Sequence, residues 1–333
     1  MSKRTPTKGI EITPEHPVER VGEFGALAED AGFTTAFASC HYNNRDPFAA
    51  LSEIARRTDS IELGPGVVNP YEIHPVTLAS RVATLDETSD GRAVFGIGAG
   101  DASTLSNLGH ERDRPLRRVL ESFKIAQDLW AGERVTHEGT FTAVDAGLNY
   151  DVGEIPVYVG AQGPHMIRMS AKHADGVLLN AAHPDDFEWA TEQVEIGLED
   201  RSDSRGEFDF AAFASVSVAE DGDEAREAAR PPVAFIAAGA APPVLDRHDL
   251  DGELAEEIGE RIGTGAFSEA FSLVSEEMID AFCIAGTPET VERRVRAITR
   301  YADGFVAGSP LGPDIESAIA LAGAAIDRGH RGR

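Results

Sequence analysis

At 333 residues and 42% hydrophobic content, the chain is long for a single core but within the range of strand-helix barrels that form one domain. Its 57 acidic against 30 basic residues give a net charge of −27, which excludes nonspecific binding to nucleic acid, since that binding depends on neutralising phosphates. Two distant cysteines, Cys40 and Cys283, exclude a disulfide framework and a paired-cysteine metal site, and no run approaches the roughly 20 apolar residues of a membrane span.

The opening "MSKRTPTKG" leads into the polar "IEITPEHP" and not into an apolar stretch, so a secretory signal is not expected and the cytoplasm is the expected compartment. The only lysines are Lys3, Lys8, Lys124 and Lys172. An acidic surface with almost no lysine repels itself unless concentrated salt screens it, so the composition reads as adaptation to high salt.

Apolar bursts of strand length then alternate with helical patterns. "GIEIT" (9–13) precedes "PVERVGEFGALAEDAG", where Val18, Val21, Phe24 and Leu27 recur at helical spacing until Gly32 stops the pattern. "TTAFAS" (34–39) precedes the helix around "PFAALSEIARR", and "IELGPGV" (61–67) precedes the one around "PVTLASRVATLDE". "RAVFGIGAG" (92–100) is followed by a loop and "PLRRVLESFKIAQDLWAG". After "FTAVDAGLNYDVGEI", read as an excursion, come "PVYVGAQG" (156–163) with "PHMIRMSAKHA", "DGVLLNA" with "PDDFEWATEQVEIGLE", and "FDFAAFASVSVA" with "DEAREAARPPVAFIAAG". "ADGFVAGSP" (302–310) with "DIESAIALAGAAIDRG" ends the series.

Eight strand-helix repeats predict a single (β/α)8 barrel over 1–333, with a helical insertion at about 239–285; an open doubly wound sheet is the alternative. A barrel of this class puts its site at the carboxyl ends of its strands. The candidates by position are Glu11; Cys40, His41 and Asn43; Gly66 and Val67; Gly98, Gly100 and Asp101; Gly160, Gln162 and Gly163; Asn180; and Gly308 with Ser309. Glycine-rich backbone with a few converging polar groups is the composition of a small-molecule site.

Each motif has two readings on its own residues. Gly64, Pro65 and Gly66 interrupt an apolar run, as a bulge does or as backbone brought close to a ligand does. Gly160–Gly163 followed by Pro164 is a plain strand-helix turn or a phosphate cradle. Glu11 is a carboxylate paired with an arginine or an acid catalyst, and His41 a structural or a functional imidazole. "GIGAGD" departs from the dinucleotide fingerprint at Asp101 and follows the fourth strand, not the first. Without GxSxG, HExxH or paired cysteines, nucleophilic hydrolysis and zinc or other metal chemistry have no support.

Taken in order, "GIE" (9–11), "HYNN" (41–44), "LGPGVVNPY" (63–71), "ATLDE" (83–87), "GIGAGD" (96–101), "GAQGP" (160–164), "VAFIAAGAAPPV" (233–244) and "VAGSPLGPD" (306–314) resemble the coenzyme-F420-dependent methylenetetrahydromethanopterin reductases of the bacterial-luciferase-like superfamily. The likeness spans nearly the whole chain, and the acidic composition points to a haloarchaeal member. One position departs: Cys40 stands where the family has aspartate before the His-Tyr-Asn-Asn string.

The resemblance implies a hydride transfer from reduced F420 to a methylene-tetrahydropterin, carried by either tetrahydromethanopterin or tetrahydrofolate. It implies a non-proline cis peptide at Gly66-Val67, in a bulge behind the deazaflavin ring. Cofactor contacts are expected from His41, Gly66, Val67, Gly98, Gly160, Ala161, Gln162, Gly163 and Asn180, with residues 160–163 on its phosphate. Glu11 is expected to be the acid, its pKa raised by burial, and Asp101 a second carboxylate that positions pterin or cofactor. The family is oligomeric, so a homo-oligomer is expected, with no nucleic-acid or membrane partner. Another F420- or FMN-dependent oxidoreductase or monooxygenase of the superfamily, and a non-catalytic cofactor-binding barrel, are the alternatives.

Overall fold

The structure is a computed structural model that describes residues 7–330. The chain divides into two compact units, one running up to Leu179 together with Trp189–Ala211, the other comprising Asn180–Glu188 and the chain from Ala212 onward.

The first unit begins with β1 (Lys8–Ile12), α1 (Val18–Asp30), β2 (Thr35–Ala38), α2 (Pro47–Arg57), β3 (Glu62–Pro65), α3 (Pro75–Thr88) and β4 (Phe95–Gly98). There follow α4 (Ala102–Asn107), α5 (Pro115–Trp130), the pair β5 (Val135–Glu138) and β6 (Thr142–Ala146), β7 (Val157–Ala161), α6 (Pro164–His173) and β8 (Gly176–Asn180). Then α7 (Pro184–Glu199) leads to β9 (Asp209–Val218), whose first three residues close the unit.

Pairing is parallel from β1 to β2, in register Gly9↔Thr35 to Ile12↔Ala38, and from β2 to β3. It is parallel again from β4 to β7 and from β7 to β8. Bridges at Leu63↔Ala93 and Val68↔Ile97 carry the line from β3 to β4. Every residue of β2 and β4 is buried, because strands covered on both faces are apolar throughout and not alternating.

Local chemistry sets the helix starts. Asp46 caps α2 by accepting the Ala49 amide at 3.0 Å, Pro47 occupies the first position, and Arg56 and Arg57 complement the last turn. Below β3 and β4, the Arg92 guanidinium donates to the carbonyls of Ser89, Ile61, Ala55 and Thr58 and to Thr58 Oγ1, all at 2.7–3.0 Å. One cation therefore satisfies the loose carbonyls of several loops, which backbone geometry alone leaves unpaired.

The second unit holds the rest of β9, α8 (Gly222–Gly239), α9 (Pro242–Arg247), α10 (Gly252–Gly263), α11 (Phe267–Ser272) and α12 (Glu276–Phe282). It continues with β10 (Ile284–Gly286), α13 (Pro288–Ile298), β11 (Gly304–Leu311) and α14 (Ile315–His330). The expected insertion at 239–285 is four short helices closed by β10. The strand adds to β9 in parallel register, Ile284↔Val216 to Gly286↔Val218. These helices share an apolar cluster that includes Val233, Ile258, Met278, Ile279 and Phe282.

Two elements differ from the sequence reading. The excursion after α5 contains the antiparallel hairpin β5-β6, with Glu138 facing Thr142. β10 falls within the stretch whose sequence reads as helical insertion. Among the described residues no helix is long and apolar enough to cross a membrane.

Candidate active site

The candidates from the first unit gather at the carboxyl ends of its parallel strands. Glu11 lies on β1 opposite Phe37 and is half-buried, more open than the expected buried acid. Cys40 and His41 follow β2, and His41 is exposed.

After β3 the peptide bond between Gly66 and Val67 is cis. Hydrogen bonds hold both sides of this link. The Gly66 amide donates to Ala38 O at 2.8 Å, the Val68 amide to Gly96 O at 3.1 Å, and the Gly98 amide to Val68 O at 2.9 Å. The bulge is thus tied to β2 on one side and β4 on the other.

The Val67 side chain occupies space that only glycines leave. A methyl on Gly98 would lie 2.6 Å from Val67 Cγ2, and one on Gly160 would lie 3.1 Å from the same atom. Gly98 ends β4 and Gly160 is the last residue but one of β7, so the close approach of a side chain that follows β3 to two other backbones explains their lack of Cβ. No local pattern in the sequence announces this contact, because its three partners are far apart along the chain.

Burial pushes the Cys40 thiol well above its ordinary range; the Gly66 amide offsets part of that shift, and the charges of Glu11, Asp46 and Glu72 add to it. Cys40 is therefore a neutral thiol near pH 7, donating to Ala38 O at 3.3 Å. It supplies none of the negative charge an aspartate would bring.

Its neighbour Ser39 escaped the sequence reading. It is 2% exposed, and its Oγ has no hydrogen-bond partner among the described residues. A buried hydroxyl left unpaired is costly and calls for a partner from outside the chain. The signal in the sequence is only a serine at the end of an apolar run. Beside these residues lies a cavity of about 260 Å³ lined by Cys40, His41, Asn69, Glu72 and Arg81 among others.

Asp101 caps α4, accepting Ser103 Oγ at 2.5 Å and the Thr104 amide at 2.8 Å. Burial raises its pKa, but these bonds more than offset that and hold the carboxyl below its ordinary range. It is an ionised acceptor and not a proton donor near neutrality.

Gly160 and Ala161 end β7, and Gly163 is the residue before α6, whose first position is Pro164. No side chain caps that helix, and nothing lies within 4 Å of where a Gly163 Cβ would sit. Gln162 and Gly163 are exposed, and the first amides of α6 lack a side-chain cap. Asn180 ends β8 exposed and falls, like Gly308 and Ser309, in the second unit.

Comparison with known proteins identifies the fold and the family. Residues 4–306 match the family model described as luciferase-like monooxygenase. A 5,10-methylenetetrahydromethanopterin reductase of Archaeoglobus fulgidus is 43% identical over 324 residues, covering 96% of this chain and 98% of that one. The protein of the same name from Methanopyrus kandleri is 39% identical, covering 95% and 96%. The solved structure of the coenzyme F420 dependent tetrahydromethanopterin reductase from Methanopyrus kandleri superposes with a TM-score of 0.91 at 37% identity, over 97% of this chain and 99% of that one. The fold is the (β/α)8 barrel, with β1, β2, β3, β4, β7, β8, β9 and β11 as its eight strands. The chain belongs to the luciferase-like monooxygenase family and, within it, groups with proteins named 5,10-methylenetetrahydromethanopterin reductase.

Proposed function

We propose that the chain is a reductase that transfers hydride from reduced F420 to a methylene-tetrahydropterin, giving the methyl form. The observation that carries this reading is the Gly66-Val67 bulge, tied to β2 and β4 and seated over Gly98 and Gly160, in a chain 43% identical across 96% of its length to a reductase named for that substrate.

The residues present fit a flat, phosphate-bearing cofactor. The orphaned Ser39 hydroxyl, the bulge backbone and the uncapped start of α6 are unmet needs or open surfaces in one unit. When bound, the deazaflavin supplies the hydride. Gly66 and Val67 would support its ring, with His41 and Gly98 beside them. The amides at Gly160–Gly163 and the start of α6 hold its phosphate.

The substrate's five-membered ring must open before its one-carbon unit accepts hydride, and opening leaves a nitrogen that needs a proton. Asp101 is held ionised by Ser103 and Thr104, so it accepts hydrogen bonds and orients the pterin. The proton then falls to Glu11, a half-buried carboxyl on β1. The neutral Cys40 leaves the bulge without the charge of the family's aspartate.

The relatives' names favour tetrahydromethanopterin as the carrier. The acidic composition, if it marks a haloarchaeal source, keeps tetrahydrofolate as the second candidate. A homo-oligomer is supported by the exposed rings of Phe235 and Phe267, 6.3 Å apart on the second unit, and light scattering of the purified chain tests it.

Stopped-flow oxidation of reduced F420 with each methylene-pterin tests the reaction. The account expects stoichiometric oxidation without flavin or oxygen uptake. Activity that needs FMN or consumes oxygen would assign the chain to the monooxygenase branch instead.

A further inference from the structure

Basic residues are scarce in this chain, yet three arginines line one cavity of about 580 Å³ in the second unit: Arg226, Arg293 and Arg294. The remaining lining includes the Cys283–Thr287 segment, His183, Asp223 and Asp280, and none of it comes from the first unit.

The arginines are not equivalent. Arg226 is saturated, donating Nη1 to Asp280 Oδ1 at 2.8 Å and Nε to Glu276 Oε2 at 2.7 Å. That pairing also occupies Asp280. Arg293 makes one long bond, Nη2 to Thr290 Oγ1 at 3.5 Å. Arg294 is half-buried and makes no hydrogen bond or ion pair with any described residue; Asp280 and Asp185 act on it only at longer range.

A guanidinium that is partly removed from water and left unpaired is costly, and the group that best repays the loss is a planar or tetrahedral oxyanion that takes two of its donors at once. Burial lowers the basicity of Arg294 and of His183, although His183 Nδ1 accepts the Asp185 amide at 3.4 Å and lies 3.5 Å from the Asp185 carboxylate. His183 is thus a neutral donor at the same wall.

We propose that this cavity binds a phosphate-class oxyanion, with Arg294 as its principal partner and Arg293 as the second. The space exceeds what one phosphate group fills and lies within the range of small-molecule sites. Ile284, Ala285 and Ala297 give it apolar wall for the organic body of a phosphate ester. The site is independent of the reaction proposed above.

The test is calorimetric titration of the full-length protein, saturated with F420 so that any phosphate cradle at Gly160–Gly163 is filled. Inorganic phosphate and glycerol 3-phosphate are compared at constant ionic strength set with potassium chloride. A saturable 1:1 isotherm is expected, weakened about 10-fold or more in Arg294→Gln and less in Arg294→Lys, which keeps the charge. Tighter binding of the ester identifies a phosphorylated metabolite as the source, and equal binding identifies the free ion; both support an oxyanion site. Because Arg294 bonds to no described residue, Arg294→Gln should keep the wild-type melting temperature and F420 turnover, which separates a lost site from a lost fold. Absence of saturable binding by either compound, or equal affinity in Arg294→Gln, overturns the proposal.

Discussion

Gly98→Ala converts the packing behind the bulge into a measurement. The new methyl would stand 2.6 Å from Val67 Cγ2, whereas ordinary contact begins near 3.4 Å, so the valine must retreat by about 0.8 Å. Val67 is β-branched, and hydrogen bonds at Gly66, Val68 and Gly98 pin the backbone on either side, so neither a rotamer change nor a small backbone shift relieves the clash freely. Overpacking of this kind costs about 1–3 kcal/mol, equivalent to a fall of about 1–4 °C in melting temperature for a chain of this length. Val67 is half-buried, and its retreat into the space proposed for the cofactor ring should also lower F420 affinity about 10-fold. Denaturant unfolding and fluorescence titration with F420 read the two effects. The double variant Gly98→Ala with Val67→Ala should recover most of the stability, giving a coupling energy of about 1 kcal/mol or more. A single variant as stable as wild type, with unchanged F420 affinity, would refute the claim that the glycine exists to seat Val67.

Glu11→Gln should lower turnover by about 100-fold or more while F420 still binds, and near-normal steady-state rates would remove Glu11 as the acid. Glu121 gives a pH test: burial raises its pKa, but bonds from the Thr140 amide and hydroxyl, Arg117 and His137 outweigh that and bring it from 4.5 to about 2. Its stabilisation of the β5-β6 hairpin is therefore complete above about pH 4.5 and lost as the pH falls toward 2, worth about 1–2 kcal/mol after solvent screening. Acid unfolding curves of Glu121→Gln should lack that component, and identical curves would contradict it. The excess of acidic residues predicts a melting temperature that climbs as potassium chloride is raised from 0.1 to molar concentration, and a flat response would reject adaptation to salt.

The barrel strands were legible because they are short apolar runs followed by helical spacing, several of them closed by glycine or proline, as in β7 with Gly163 and Pro164. The β5-β6 hairpin was not, since its residues alternate weakly and several are exposed. β10 escaped because three residues between two helices carry no periodicity, and only its register with β9 makes it a strand. At the site, the positions of Glu11, His41, Gly66 and Gly163 followed from strand ends alone. The unpaired Ser39 hydroxyl, the capping bonds of Asp101 and the seat of Val67 over Gly98 and Gly160 depend on partners that sequence spacing does not reveal.

The central claim is tested most directly by carrying label from cofactor to product. Reduced F420 bearing deuterium at its transferable position is mixed with methylene-tetrahydromethanopterin and the wild-type protein, and the methyl product is analysed by mass spectrometry. The account predicts one deuterium in the new methyl group for each F420 oxidised; a methyl group without label, or label released to water while the pterin is unchanged, would contradict it.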